Sequence, residues 1–288
     1  GCNLWWSKRL IMTLIKNGTV YDGKGGKPEK KDILIEKDTI IAIDSDISES
    51  GKTVYNAEGL SVTPGFVDIH RHCDSQPMAG NGFGEIEALQ GITTVVAGNC
   101  GLASVPYSEK SGKAYLDLLS PCLGDIERYG IYSGYDEYVE ALQHSPLSLN
   151  FGYLIGLGAV KASVKGLLDS PFTKEEMKKA QDLVRKGFDS GALGISIGIM
   201  YPPECYSTKA EFKDLIRIAS EYNGILCTHI RGEGDSLIPS IAEVIEIAED
   251  TGVRLNISHF KATGKRNWGT RIREAADLID KARSRGID

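Results

Sequence analysis

Between residues 12 and 61 apolar and polar residues alternate, as in Thr13-Leu14-Ile15-Lys16 and Asp32-Ile33-Leu34-Ile35-Glu36, with glycine-rich turns at Asp22-Gly23 and Gly25-Gly26. A period of two belongs to half-buried strands, so this stretch predicts a small antiparallel β unit. From Thr63 onward the texture changes to short apolar runs separated by longer helical patterns. The runs are Gly65 to Ile69, Ile92 to Ala97, Asn150 to Leu157, Gly194 to Ile199, Ile225 to Thr228 and Arg254 to Ser258. Such an alternation predicts βα repeats. Thr173 with Glu176, and Thr208 with Glu211, have the spacing of capping boxes, each opening a helix with one apolar stripe. A third helix is predicted from Leu237 to Ala248, before Thr251-Gly252. A (β/α)₈ barrel usually takes roughly 250 residues, and the stretch from Thr63 supplies six candidate strands. No G-x-G-x-x-G fingerprint follows the first strand, which disfavours a doubly wound open sheet. The expected architecture is therefore α/β: an incomplete TIM-type barrel of about six βα units over 62–288, behind a small β domain over 12–61 and an N-terminal extension over 1–11.

Composition narrows the function classes. The 288 residues are 41% hydrophobic, ordinary for a packed core. Lys and Arg total 33 against 39 Asp and Glu, a net charge of −6, with no basic run to attract phosphate backbones, so nucleic acid is not an expected partner. The apolar stretch Leu10 to Ile15 is too short to span a bilayer and lacks a signal-peptide cleavage pattern, so no membrane partner and a cytoplasmic location are expected. Six scattered cysteines (Cys2, Cys73, Cys100, Cys122, Cys205, Cys227) without paired spacing are expected to be reduced thiols. The chain opens on Gly1, with Met12 as a candidate start, and stops at Arg285-Gly286-Ile287-Asp288, where a further strand is expected to begin; both ends are read as cut.

Four of the five histidines close strand-like runs: His70 and His72 as an H-x-H pair, then His229 and His259, while Cys100 ends another run. Period-2 geometry puts His70 and His72 on one face of a strand. In a barrel the carboxyl ends of the strands converge on one mouth, where active sites of this fold lie. Imidazole nitrogen and thiolate sulfur suit Zn²⁺, and five ligands on four strands suggest two adjacent metal positions. Zinc lowers the pKa of a bound water to about 7 and polarises a carbonyl oxygen, so hydrolysis of an amide or related C–N bond is the natural use. His144, before Ser145-Pro146, reads as a surface residue, and Asp68 as a structural hydrogen-bonding residue. Taken alone, Cys100 would be a small buried hydrophobe and Lys261 a solvated strand-end lysine. Tyr201 and the prolines after it wall a pocket or rigidify a turn, and Arg231 and Glu233 are assigned to building a loop.

Thr63-Pro64-Gly65-Phe66-Val67-Asp68-Ile69-His70-Arg71-His72 resembles the first-strand signature of the amidohydrolase superfamily. Gly91 to Gly101 (GITTVVAGNCG), Gly191-Ala192-Leu193-Gly194 continuing to Tyr201-Pro202-Pro203, Thr228 to Gly234 (THIRGEG) and Ile257 to Lys261 (ISHFK) resemble, more narrowly, the N-acyl-D-amino-acid deacylases, or D-aminoacylases. That resemblance covers nearly everything after Met12. It implies a zinc-dependent deacylase of small-molecule N-acyl-D-amino acids, with a TIM-type barrel and a small β-sandwich-like domain. It also implies one firmly bound zinc on Cys100, His229 and His259, and a second, weaker position at His70 and His72. Lys261 is implied as a contact to the substrate carboxylate, with Tyr201 a further substrate-binding position. The implied general acid/base is an Asp after an eighth strand, expected beyond Asp288, so no residue of this sequence takes that role and the chain alone is expected to be weakly active or inactive. Two alternatives stand beside this expectation. A cyclic-amide hydrolase of the hydantoinase or dihydroorotase kind normally carries a bridging carboxylated lysine after the fourth strand, and the run Gly194 to Ile199 has none. The other is a metal-binding, catalytically dead remnant.

Overall fold

The computed structural model of the protein describes residues 12–80 and 82–288, which fall into two compact units that divide between Gly65 and Phe66. The expected extension over 1–11, with Cys2, lies outside the described residues. The other five cysteines are all unpaired.

The first unit is a five-stranded sheet in which β1 (Met12–Val20) pairs with β2 (Glu29–Glu36), β4 (Thr53–Asn56) and the two-residue β5 (Ser61–Val62), while β3 (Thr39–Asp44) pairs with β2 at the edge. It is mixed, which corrects the antiparallel expectation: β2 runs antiparallel to β1, but β4 and β5 run parallel to it. The order β3-β2-β1-β4 requires the chain to cross from one edge to the other after β3. Asp32, buried in β2, pins that crossover by accepting from the Ile47 amide at 2.9 Å and from the Asn17 amide at 2.9 Å. Alternation of apolar and polar residues identifies strands but carries no information on their direction. Ser61 and Val62 pair with Thr19 and Val20 immediately before the change in sequence texture at Thr63, and the unit runs on to Gly65.

The second unit is a six-stranded, all-parallel, curled sheet of β6 (Phe66–Asp68), β7 (Ile92–Ala97), β8 (Asn150–Gly156), β9 (Gly194–Gly198), β10 (Ile225–His229) and β11 (Arg254–Ile257), in strict sequence order. Nine α-helices are described: α1 (Glu85–Leu89), α2 (Gly112–Leu123), α3 (Ile126–Tyr129), α4 (Tyr135–Gln143), α5 (Leu157–Lys165), α6 (Lys174–Asp189), α7 (Lys209–Glu221), α8 (Leu237–Thr251) and α9 (Arg271–Ser284). Sequential parallel strands joined by helices form the incomplete TIM-type barrel expected from the apolar runs.

Each central strand packs on both faces. Ile155, Ile195, Ile197 and Leu226 face outward into a helix-backed core with Val184 of α6, Ile216 of α7 and Ile241 and Val244 of α8. Val96, Leu154 and Cys227 form a smaller cluster of their own. Burial on both faces explains why these strands read as continuous apolar runs rather than as alternations. Both capping boxes are complete, with the Thr173 hydroxyl accepting from the Glu176 amide at 3.2 Å while Glu176 accepts from the Thr173 amide at 2.8 Å. Thr173→Ala is expected to cost about 1 kcal/mol, read as a lower urea midpoint at unchanged slope.

Candidate metal centre

Every metal-ligand candidate stands at or just past the carboxyl end of a strand. His229 is the last residue of β10, whereas His70 and His72 follow the end of β6, Cys100 the end of β7 and His259 the end of β11. The H-x-H pair therefore lies on a loop and not on a strand face, because β6 stops at Asp68. The two rings nevertheless approach each other, with centroids 5.3 Å apart. The turns are shaped for the task. Cys100 has φ +57° and His259 φ +34°, left-handed conformations that non-glycine residues hold only when their surroundings enforce them.

For Cys100 those surroundings are visible. The Ser196 hydroxyl donates to the Gly98 carbonyl and accepts from the Gly101 amide at 2.9 Å, so it spans the turn. The Asn99 carboxamide donates to the Val96 carbonyl at 3.0 Å and to the Ile69 carbonyl at 3.2 Å, tying this turn to the chain entering His70. Beneath it, Glu204 accepts from the Gly198 amide at 3.0 Å. A Cβ on Gly101 would stand 1.8 Å from Glu204 Oε2, and one on Gly198 would stand 2.0 Å from the Cys100 carbonyl oxygen. Glycine at both positions is what allows the buried carboxylate under the turn.

The side chains converge in two overlapping groups. His70, His72 and Cys100 form one, and Cys100, His229 and His259 the other, with the donor atoms in each group within 4.8 Å of one another. The Cys100 Sγ is 3.5 Å from His70 Nε2 and 3.6 Å from His259 Nε2. A sulfur and a nitrogen held about 2.3 and 2.05 Å from one tetrahedral centre stand about 3.6 Å apart, so these spacings suit a shared ion. Three buried ring nitrogens, His70 Nδ1, His72 Nδ1 and His229 Nε2, have no hydrogen-bond partner among the described residues. Orphaned polar atoms of this kind in one cluster call for a ligand. Burial, helped by the neighbouring imidazoles, brings His70 and His229 down to about 4, and burial also lowers His72. All three are then neutral at pH 7, the form that binds metal. Burial also pushes the Cys100 thiol up to about 12, a cost that a cation beside the sulfur reverses. The donor set therefore fits a borderline-soft divalent ion.

Tyr201, in the turn after β9, places its hydroxyl 3.4 Å from His229 Nδ1, with ring centroids 4.8 Å apart. Lys261 is not on an extended strand, yet its Nζ comes within 3.2 Å of His259 Nδ1. His144 is exposed and its Nδ1 is 2.7 Å from the Glu140 carbonyl oxygen, away from the cluster. Asp68 accepts from the His70 amide at 3.1 Å. Sequence reasoning missed Ser196, Asn99 and Glu204, since a lone serine in a strand or glutamate in a turn carries no motif.

Glu204 has a pH signature. Burial raises its carboxyl to about 8, against the pull of the Gly198 amide, the Lys161 ammonium and the Gly158 amide. The folded protein thus holds a proton that the unfolded chain releases near its ordinary value of 4.5. This contribution to stability is full below about pH 4.5 and is lost as pH rises to about 8. In Glu204→Gln the carboxamide oxygen still accepts from Gly198, and its NH₂ takes the place of Oε1, which has no partner among the described residues. The decline in melting temperature between pH 5 and 8 should be shallower in the variant; parallel curves for the two proteins would reject the assignment.

No protein-family profile matches the chain. It is 34% identical over 272 residues to the D-aminoacylase of Alcaligenes xylosoxydans xylosoxydans, covering 94% of this chain and 55% of that protein. A crystal structure of D-aminoacylase, described as defining a novel subset of amidohydrolases, superposes with a TM-score of 0.84 at 31% identity, over 94% of this chain and 56% of that one. An N-acyl-D-glutamate deacylase from Bordetella bronchiseptica, solved with zinc and a phosphonate mimic of the tetrahedral intermediate, superposes with a TM-score of 0.81 at 28% identity, over 96% of this chain and 56% of that one. A D-hydantoinase, at 15% identity and a TM-score of 0.57, shares the fold alone. The chain spans about half the length of the curated relatives it matches. The parallel, curled βα sheet, with histidine and cysteine donors gathered at its carboxyl edge, shares the fold of that amidohydrolase structure. Within that class its curated relatives are a D-aminoacylase, an N-acyl-D-aspartate deacylase and an N-acyl-D-glutamate deacylase, to which the chain is similar at 31–34% identity over 93–96% of its length.

Proposed function

We propose that this chain carries the metal centre and part of the substrate site of a zinc-dependent hydrolase that removes the acyl group from N-acyl-D-amino acids. The observation that carries the proposal is the meeting of Cys100, His229 and His259 donor atoms within 4.8 Å at the carboxyl edge of the sheet. The zinc-bound relative and the family's substrates support both the ion and the reaction class. Cys100 Sγ, His229 Nε2 and His259 Nε2 would hold the firmly bound zinc, while His70 and His72, sharing Cys100, would serve a weaker position. Bound there, zinc supplies a nucleophile at neutral pH by acidifying water and polarises the scissile carbonyl.

The chain's own groups do the positioning. The Lys261 ammonium, its side chain 47% exposed and paired on one side with Glu233, would use a remaining donor to meet the carboxylate of the substrate. The Tyr201 hydroxyl at His229 Nδ1 fixes that ring's orientation and leaves Nε2 facing the cluster. The proton-transfer Asp that the family resemblance implies, after an eighth strand, is not among these six strands. General acid/base groups contribute about 10²- to 10⁴-fold, so turnover by the 288 residues alone should be low by that factor.

The test is hydrolysis of N-acetyl-D-methionine, its L-enantiomer and dihydroorotate by the zinc-loaded chain, with zinc content measured on the same sample. Slow release of D-methionine alone is the expected outcome. Hydrolysis of dihydroorotate instead would favour the cyclic-amide alternative, against which the lysine-free run Gly194–Gly198 argues. Tightly held zinc with no turnover of any substrate would identify a metal-binding remnant.

A further inference from the structure

Glu233 lies in the loop between β10 and α8, a segment whose sequence suggested only loop building. Its backbone is fixed, because the Thr263 amide, in the loop after β11, donates to the Glu233 carbonyl at 2.7 Å. The same two loops are joined again where Asp235 accepts from Arg266 Nε at 2.9 Å and from Asn267 Nδ2 at 3.0 Å. So anchored, the side chain is 11% exposed and points toward the metal cluster. One oxygen, Oε1, stands 2.7 Å from His259 Nδ1 and 2.5 Å from Lys261 Nζ. Among the described residues no backbone amide reaches this carboxylate, so it does not cap its own loop.

In a neutral imidazole one nitrogen carries the proton and the other the lone pair. The carboxylate, 2.7 Å from Nδ1, favours the proton there over the more distant Lys261 ammonium at 3.2 Å, which would favour a lone pair, and so leaves the Nε2 lone pair free; Nε2 is the atom 3.6 Å from Cys100 Sγ. We propose that Glu233 is a positioning residue: it sets the tautomer and ring orientation of His259 for metal binding, and uses the same oxygen to hold Lys261 beside that ring. The metal ligand and the cation assigned to the substrate carboxylate would thereby share one anchor. The Lys261 part rests on the function proposed above. The His259 part rests only on the geometry of the cluster.

Partners of this kind typically alter metal affinity by 10- to 100-fold when removed. The test uses the full chain as wild type, Glu233→Ala, Glu233→Gln and Lys261→Met, with melting temperature recorded for each. The first readout is the ¹⁵N chemical shifts of the His259 ring in the metal-free protein, which distinguish Nδ1–H from Nε2–H. The second is zinc affinity, by competition with a chromogenic chelator and zinc alone as the probe. Wild type should show a single Nδ1–H tautomer. Glu233→Ala should show a mixture and bind zinc about 10- to 100-fold more weakly, and Glu233→Gln, which can still accept one hydrogen bond, should fall between. Lys261→Met should keep both the tautomer and the zinc affinity of wild type, since the Glu233–His259 contact survives. A loop-building role would shift the melting temperature without moving the ring shifts. An unchanged tautomer together with zinc affinity within about threefold of wild type in a folded Glu233 variant would overturn the proposal. If wild type binds no zinc, the proposed function fails while the ring shifts still decide the role of Glu233. If Glu233→Ala does not fold, Glu233→Gln decides.

Discussion

Cys100→Ser is expected to weaken zinc binding by about 10²-fold or more. Cys100 supplies the one anionic, soft donor of the trio with His229 and His259, and a serine hydroxyl does not ionise to replace it. The backbone should be undisturbed, because serine is nearly isosteric and the strained turn is held by Ser196 and Asn99, whose bonds do not involve the sulfur. A folded protein with an emptied site is therefore the predicted product. Zinc retained per chain after dialysis against a chelator is the measurement, with Cys227→Ser as the control, since Cys227 is buried beside Asn256 outside both donor groups. Equal retention in wild type and Cys100→Ser would remove the sulfur from the site.

The second large effect is on stability. Gly101→Ala forces a Cβ to 1.8 Å from Glu204 Oε2 and 2.7 Å from the Gly198 nitrogen, at φ +69°. Neither neighbour can yield. Glu204 is buried and bonded to Gly198, and the backbone of β9 lies inside the sheet. A left-handed alanine costs roughly 1 kcal/mol and overpacking of a rigid site another 1–3, so a loss of several kcal/mol in chemical denaturation is expected. The change should also displace the Cys100 turn and lower zinc affinity in whatever protein remains folded. A denaturation midpoint matching wild type would mean that Glu204 does not occupy the space beneath the turn.

The fold was legible where burial is symmetrical. The apolar runs at Ile92, Asn150, Gly194, Ile225 and Arg254 each became a strand, and the capping boxes at Thr173 and Thr208 each opened a helix, because these are local signals. Directions within the first sheet were not legible, since β4 and β5 owe their parallel pairing to a crossover pinned by Asp32. Histidine and cysteine at strand ends could be picked out by residue type, and the structure brings all five into two overlapping groups. What holds them in place was hidden. Ser196, Asn99 and Glu233 bond, and Glu204 packs beneath the Gly101 turn, only when separate βα units stack, with no fixed spacing to betray them.

Cys100 and His259 are 159 positions apart in the sequence, yet their side chains meet. An ion grasping both would lace shut a loop of that length, and in the chain-entropy treatment such a closure takes about 5 kcal/mol of freedom from the unfolded ensemble. Heat resistance of this protein is thus expected to climb with free metal concentration, and Cys100→Ser should move the climb to metal concentrations about 10²-fold higher by loosening the tether.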